Sequence, residues 1–553
     1  MKHSTYSIFT YSLVFAAAFI LLLGSCRAGG EKPLVADNTS DFVDTASLRA
    51  SGQWGFANPV VPGFHPDPSV CRVDDDFYLV NSTFQFFPGV PVFHSKDLIH
   101  WEQIGHCLTR RSQLELGEAE AGGGIYAPTL RYHDGTFYMI VTNVTHGGNF
   151  IVTATDPAGP WSEPVWVNQD GIDPTLFWDG ETCYYVGTSQ GHIVLFEIDP
   201  ATGEHLTEAR SIWRGTGGRW PEGPHLYKKD GWYYLLIAEG GTELAHCVTI
   251  GRSRHIEGPY AGCPDNPLLT HCSLAGQDSM IQGLGHSDLV QAADGSWWAV
   301  CLGFRWPVGS HHLLGRETFL VPVTWAKGQW PVYNGHQPLS TDMQCSTLPQ
   351  VPVTEPSPMM AFSSATADRP LAEGRFDLRL NFLCNPVEEN YSLTAREGWL
   401  RLTAGEKSLD NAGASTFIGA RQTAISQIAR TLIDASGLKE GGRAGLTIYM
   451  GSRYHYDVAI VRRGGRYVAQ VLYRLGNMAH VEKEVALDGP TAQLAVEAEP
   501  GIYRLSADGR MLAEMDANFL SSETAGGFTG IYFGVFCDGA PGSTADVQYL
   551  SID

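Results

Sequence analysis

The sequence predicts an all-β protein with two folded parts, a five-bladed β-propeller over residues 56–345 and a β-sandwich over residues 371–553. Three observations lead to this prediction. No stretch between residues 56 and 345 keeps an amphipathic helical period. A pattern of strand, tight turn and aromatic-rich strand recurs five times in the same region. Beyond it, short alternating apolar runs are separated by Gly and Asn turns.

The first 26 residues are predicted to be a lipoprotein signal peptide. Lys2 and His3 precede an apolar run from Leu13 to Leu23, and L-L-G-S-C then ends at Cys26 in the manner of a bacterial lipobox. An ordinary secretory signal is the alternative. Residues 27–55 are expected to be a linker. The protein is therefore expected to be exported and held by lipid on Cys26, in the periplasm or at the cell surface.

The repeat defines the blades of the propeller. Each copy reads as a short strand, a turn on Asp-Gly or Asp-Asp and an aromatic-rich strand, and a weaker second repeat supplies further strands, so each unit holds about four strands. A β-sandwich is the alternative for this half, but it would not repeat its innermost strand five times. The copies begin at His65, Ile125, Gly171, Pro221 and Leu284.

The sequence changes character after Cys345. Residues 346–370 contain L-P-Q-V-P-V-T-E-P-S-P from Leu348 and are predicted to be a Pro-rich linker before the sandwich. Ten cysteines follow Cys26, and they contain no CxxC motif. Buried thiols are therefore expected, with Cys263 and Cys272 as the one pair that could form a disulfide.

Composition narrows the class of ligand. Asp and Glu number 59 against 37 Lys and Arg, a formal charge of −22, which argues against nucleic acid because its backbone attracts basic patches. The chain also holds 14 Trp and 22 Tyr. Aromatic rings together with carboxylates suit sugars, although an ordinary aromatic core would give the same composition.

One position of the repeat carries the candidate site. Aligned copies place Asp67, Ala127, Asp173, Gly223 and His286 at the same point, with Glu222 one residue before Gly223. Innermost propeller strands surround the axis, so these side chains are expected to converge. A single Asp-Pro is usually a turn, but three acids at matching or adjacent positions of a fivefold template indicate a site. Paired carboxylates, one protonated and one ionised, are what glycoside hydrolysis requires.

The motifs around these acids resemble glycoside hydrolase family 43, in particular its β-xylosidase-like members with a C-terminal sandwich. The resemblance rests on H-P-D-P-S, D-P-T-L-F-W-D-G, E-G-P-H-L-Y, F-Q-F-F-P-G-V-P-V-F, L-G-R-E-T and T-F-I-G-A-R-Q. It implies an inverting mechanism and a concanavalin-like second domain. It also implies that Asp67 is the general base, Glu222 the general acid, and Asp173 the carboxylate that tunes and orients the acid.

The same resemblance implies further roles. Phe84 and Tyr126 would line the sugar pocket, with Tyr126 where the family often has Trp, and Tyr532 would close the rim from the sandwich. Arg316 would contact sugar hydroxyls, with Arg305 as its rival. His286 would lie on the axis, where similar members in some cases bind calcium through waters. No cofactor is otherwise required.

The expected function is an exo-acting β-D-xylosidase on xylan-derived oligosaccharides. An α-L-arabinofuranosidase and a bifunctional enzyme are alternatives, because the two pentoses can present the scissile bond similarly. An endo-acting arabinanase and a non-catalytic glycan-binding lipoprotein are the competing functions. The full set of three acids favours an enzyme, since a binding module needs no proton donor.

Overall fold

The computed structural model describes residues 54–273, 276–307 and 309–553. Cys26 and the predicted signal peptide lie outside the described residues. The described chain is built almost entirely of strands, and its helices are single turns. No helix within the described ranges has the length and apolar character that crossing a membrane takes. These short helices are Asn334–His336, Ser364–Thr366, Leu371–Arg375, Glu388–Asn390, Ala517–Leu520 and Ser522–Ala525.

Five antiparallel sheets form the blades, which confirms the predicted propeller. Each sheet begins with one copy of the repeat as its innermost strand. Blade 1 contains Ser69–Val73, Asp76–Val80, Gly89–Ser95 and Glu102–Leu108; blade 2 contains Thr129–His133, Thr136–Asn143, Gly148–Ala154 and Val165–Val167. Blade 3 contains Ile172–Asp179, Thr182–Ser189, His192–Asp199, Glu204–His205 and Arg210–Trp213. Blade 4 contains Glu222–Lys229, Trp232–Glu239, Cys247–Ser253 and Ala261–Gly262; blade 5 contains Ile281–Gln291, Trp297–Arg305, Glu317–Thr324 and Val332–Tyr333.

The Asp-Gly pairs of the repeat make the inner hairpin turns. Asp134 and Gly135 have φ of 46° and 80°, and Asp230 and Gly231 have φ of 52° and 73°. A two-residue turn with both φ angles positive matches the twist of the flanking strands, and Asp-Gly is a favoured pair for it. This local chemistry fixes the register of the first two strands in these blades.

A buried carboxylate ties the ring of inner strands together. Asp288 of blade 5 accepts hydrogen bonds from Ser69 Oγ (2.8 Å), Arg131 Nη1 (2.8 Å) and Tyr227 Oη (2.7 Å), which belong to blades 1, 2 and 4. Burial would raise the pKa of Asp288, but the Arg131 guanidinium and these donors hold it well below its usual range. The Asp288 carboxylate therefore connects the inner strands of blades 1, 2, 4 and 5.

Two large sheets form the second part of the molecule, as predicted for a sandwich. Their facing sides hold most of the apolar core of this part. One sheet contains Met359–Ala361, Tyr391–Ser392, Leu400–Thr403, Thr544–Ile552, Gln427–Asp434, Thr491–Glu499, Ile502–Ala507 and Arg510–Asp516. The other contains Phe417–Arg421, Tyr532–Asp538, Arg443–Gly451, Tyr454–Arg463, Arg466–Leu475 and Met478–Ala486.

The sandwich is joined to the propeller by backbone pairing and by one buried arginine. Phe382–Leu383 pairs with Phe86–Phe87 of the first blade's loop. Arg421 Nε donates to the carbonyl oxygen of Phe64 at 2.7 Å, three residues before Asp67 of the repeat. A further two-stranded pair, Trp54–Ala57 with Asp342–Cys345, connects the two ends of the propeller region. The ten cysteines of the described chain are free thiols, with Cys263 buried and Cys272 exposed.

Candidate active site

The repeat positions its special residues through an unusual backbone conformation. Between Ile172 and Thr175 the inner strand advances three residues while its partner advances two, and the same bulge follows Glu222. Bulges re-aim side chains and are frequent beside active sites. The backbone is left-handed at four of the five template positions: Asp67 (φ 52°), Asp173 (φ 55°), Gly223 (φ 56°) and His286 (φ 45°).

Asp67 is buried and surrounded by cations and donors. Its side chain receives hydrogen bonds from Arg316 Nη1 at 3.0 Å and from the Ser82 hydroxyl, and His286 Nδ1 lies 4.0 Å away. Burial alone would raise the pKa of Asp67, but Arg316, His286 and Ser82 hold it below its ordinary value. Asp67 is therefore ionised at neutral pH.

The pKa values of Glu222 and Asp173 are raised, in contrast to that of Asp67. Burial, followed by the negative charge of Asp67, raises the pKa of Glu222 to about 7, against the opposing effect of Arg316. Burial and then the charge of Glu222 raise the pKa of Asp173 well above its ordinary value. Asp173 Oδ2 also accepts the backbone N–H of Gly223 at 3.2 Å, which fixes it beside Glu222. This pair retains a proton near neutral pH.

An aromatic wall stands next to the carboxylates. The rings of Phe84 and Tyr126 are 5.3 Å apart, and Phe528 stacks on Phe84 at 6.0 Å. The Arg316 guanidinium lies 5.5 Å from the ring centres of both Phe84 and Phe528. The charge of Asp173 contributes, after burial, to a raised pKa of Tyr126, so the wall and the acids share one site.

The residue that the sandwich contributes to the pocket is Phe528, which corrects the prediction of Tyr532. Tyr532 has no exposed surface and stacks on Phe86 at 3.9 Å in the joint between the two parts. Phe528 is 40% exposed and follows Gly526 and Gly527 in a turn. Tyr532 stands on a strand whose residues are all buried, whereas the turn before that strand reaches the propeller. A single phenylalanine after two glycines gave no sequence signal of this role.

Arg316 donates a hydrogen bond to Asp67, whereas Arg305, the predicted alternative, forms an ion pair with Glu317. Arg316 Nη1 also donates to Thr242 Oγ1 at 3.0 Å, and Nη2 to the carbonyl oxygen of Phe528 at 3.4 Å. Its Nε is buried and has no hydrogen-bond partner among the described residues. Arg305 instead makes a two-point ion pair with Glu317 at 2.7 and 2.8 Å.

Calcium bound through waters at His286, which the resemblance implies, stays a prediction, and the protein side chains around His286 supply few ligands for it. Calcium takes six to eight oxygen ligands, and within the described ranges no three His, Cys, Asp or Glu side chains are grouped to hold a metal. The neighbouring His225 Nδ1 lies 2.8 Å from Arg131 Nη2, which can only donate, so the His225 proton is on Nε2 and leaves no lone pair there. His286 packs on Gly223, where a Cβ would lie 2.9 Å from its Cε1.

A five-bladed propeller whose aromatic pocket holds one carboxyl group with a lowered pKa and one with a raised pKa has the features of a glycoside hydrolase. Residues 56–331 match the family model described as glycosyl hydrolases family 43, and residues 372–553 match the beta xylosidase C-terminal concanavalin A-like domain. The chain belongs to glycosyl hydrolase family 43.

Relatives cover nearly the whole described chain. The non-reducing end alpha-L-arabinofuranosidase BoGH43B of Bacteroides ovatus is 40% identical over 88% of this chain and 91% of its own. A xylosidase/arabinosidase of Butyrivibrio fibrisolvens is 38% identical over 88% of this chain and 96% of its own. The solved xylan beta-1,4-xylosidase from Bacillus halodurans is 31% identical, with a TM-score of 0.83, and the match covers 90% of this chain and all of that one.

Proposed function

We propose that the protein is an inverting exo-glycosidase that releases terminal pentose residues, β-D-xylose in the first instance, from xylan-derived oligosaccharides. The observation that carries the proposal is the opposite displacement of two carboxyl pKa values in one pocket. Burial raises the pKa of Asp67, but the opposing effect of Arg316 is part of a larger set of effects that lowers it below its ordinary value. Burial raises the pKa of Glu222 to about 7. Such a pair supplies a base and an acid at the same pH.

In the proposed reaction, Asp67 accepts a proton from a water molecule as the water oxygen attacks the anomeric carbon. Glu222 donates its proton to the glycosidic oxygen as the bond from that oxygen to the anomeric carbon breaks. The products are the pentose with inverted configuration and the leaving-group alcohol. Asp173 stands beside Glu222 through the N–H of Gly223 and acts as a positioning residue. Asp67 and Glu222 then exchange protons with solvent to restore the starting state.

The relatives support a pentose but not one particular pentose. The names of these relatives include xylosidase, arabinosidase and alpha-L-arabinofuranosidase, each of which describes that relative. An α-L-arabinofuranosidase is therefore the second candidate, favoured by the 40% identity to the Bacteroides ovatus enzyme. Exo action is supported by Phe528, because the sandwich closes one side of the pocket where an endo-acting enzyme needs an open groove.

The test is hydrolysis of aryl β-xylosides and aryl α-arabinofuranosides, with the first minutes followed by proton NMR. We expect the inverted anomer of one or both sugars. Glu222→Ala should reduce activity on poor leaving groups far more than on activated aryl glycosides, because the latter need little protonation. Asp67→Ala should abolish both, because neither substrate reacts without activated water. A retained anomer, or an equal loss for all leaving groups in Glu222→Ala, contradicts this assignment of roles.

We also propose that the protein is exported and lipid-anchored through Cys26, on the basis of the L-L-G-S-C motif. The wild type should fractionate with membranes and be released by detergent, and Cys26→Ala should leave an unprocessed or soluble product. A wild type that is soluble without detergent contradicts the lipid anchor.

A further inference from the structure

Trp220 is an exposed aromatic residue near Glu222 in sequence and beside Gly241 in the structure. It stands two residues before Glu222, and 51% of its surface is exposed. Among the described residues, its ring has no stacking or cation partner, since Trp220 occurs in none of the aromatic or cation–π pairs of this structure. A Cβ on Gly241 would lie 3.3 Å from Trp220 Cδ1, so the ring stands beside this glycine. The ring therefore has a surface that the fold itself does not use.

The backbone at Trp220 is strained. Its φ is 54°, in the left-handed region, which is a genuine outlier for a bulky residue, and it also precedes Pro221, a position that favours extended conformations. Such strain persists only where the surroundings impose it, and it is concentrated at functional sites. Half of the ring stays in solvent, so burial of the indole does not offset this strain. The conformation instead leaves the indole exposed beside Gly241.

The loop that carries Trp220 is fixed to the catalytic residues. The carbonyl oxygen of Arg219 accepts the N–H of Gly240 at 2.7 Å, and Arg219 Nη2 donates to the carbonyl oxygen of Gly240 at 3.1 Å. Two residues further along, Thr242 accepts a hydrogen bond from Arg316, which in turn holds Asp67. The position of the indole is thereby coupled to the carboxylate that activates water.

The position of Trp220 selects one side of the substrate. Phe84, Tyr126 and Phe528 form the aromatic wall around the terminal sugar. Glu222 protonates the glycosidic oxygen in the proposed reaction, and the leaving group lies on the far side of that oxygen. Trp220 stands two residues before this acid and pairs with no ring of the wall, and the proposal places it on the leaving-group side.

We propose that Trp220 is the stacking platform for the first sugar of the leaving group, and that this sugar is a pyranose of the xylopyranose type. All hydroxyls of xylopyranose are equatorial, so both faces of its ring are apolar C–H surfaces that match an indole. The inference rests on the proposed function and names the substrate class of the same site. It makes Trp220 a specificity-determining residue that favours oligosaccharides over simple glycosides.

The test compares a leaving group that has a sugar ring with one that has none. Wild type, Trp220→Ala and Trp220→Phe are assayed on the glycosyl fluoride of the released pentose and on the disaccharide in which that pentose is linked to xylose. Burying one aromatic face against a sugar corresponds to a loss of roughly 10- to 100-fold in kcat/KM. We expect this loss on the disaccharide only, with most of it restored by Trp220→Phe. Trp166→Ala is the matched control, because Trp166 is 42% exposed and lies in blade 2, and it should match wild type on both substrates.

Two results overturn the proposal: an equal loss on fluoride and disaccharide, or no loss on either. A wild type that is inactive on every pentoside overturns the proposed function instead. In that case, titration calorimetry of xylotriose with wild type and with Trp220→Ala tests separately whether Trp220 binds a sugar. Weaker binding in the variant, with Trp166→Ala unchanged, supports the platform, and equal binding contradicts it.

Discussion

Replacing Arg316 with methionine should move the whole pH profile of the enzyme upward. Arg316 Nη1 lies 3.0 Å from Asp67 Oδ1, and both side chains are less than a tenth exposed. At this separation and an effective dielectric constant of ~20 the attraction is about 5 kcal/mol before desolvation is deducted. Opposite charges at this range shift a carboxyl pKa by roughly 1–3 units. Loss of the cation favours protonated Asp67, so its pKa rises.

The sign of the change follows from the two roles. A general base must be ionised, so a higher pKa of Asp67 moves the acid limb of kcat/KM to higher pH. Arg316 also lowers the pKa of Glu222, although less than burial and Asp67 raise it. The alkaline limb, where Glu222 loses its proton, should therefore also move upward. Methionine keeps much of the packing volume while removing the charge.

The assay is kcat/KM on an aryl pentoside from pH 3 to pH 9, with circular dichroism to verify folding. Arg305→Met is the matched control, because its guanidinium is paired with Glu317 and not with Asp67. The acid and alkaline limbs of the Arg305→Met pH profile should coincide with those of wild type. Arg316→Lys keeps a positive charge and should keep its acid limb close to that of wild type. A uniform fall in kcat/KM for Arg316→Met, with both limbs unmoved, would refute the electrostatic role and leave Arg316 as a substrate contact only.

Three further predictions follow from the same geometry. Asp173→Asn should move the alkaline limb to lower pH, because it ends the repulsion between the two carboxylates that helps the Asp173–Glu222 pair keep a proton, and the pH profile of kcat/KM measures this. Asp288→Asn should destabilise the propeller by roughly 3–5 kcal/mol at pH 7, because the Arg131 guanidinium loses its buried partner. The low pKa of Asp288 means that this stability is present above the unfolded pKa and is lost as pH falls toward the folded value, so urea midpoints of wild type and variant should converge in acid. Phe528→Ala should raise KM about tenfold with a smaller change in kcat, since it removes one side of the pocket and a cation–π contact to Arg316, and steady-state kinetics would contradict this if only kcat fell.

The sequence by itself determined the architecture and the location of the acids. The repeat encodes each blade locally, through Asp-Gly turns such as Asp134–Gly135 that fix the first hairpin. Because five copies of one template must surround one axis, equivalent positions could be compared without any coordinates. That comparison singled out Asp67, Asp173, Glu222 and His286, and three of the four share the left-handed backbone of the template.

Only the tertiary structure decided what surrounds those residues. Phe528, rather than Tyr532, reaches the pocket, and the two differ by four positions on one connected segment. Arg316 donates a hydrogen bond to Asp67 across 249 positions of chain, and the residue before Trp220 is hydrogen-bonded to Gly240. No local pattern encodes such contacts, because they depend on how sheets and loops that are distant in sequence pack together. The pKa values of Asp67 and Glu222 follow the same rule, since burial and neighbouring charge exist only in the folded chain.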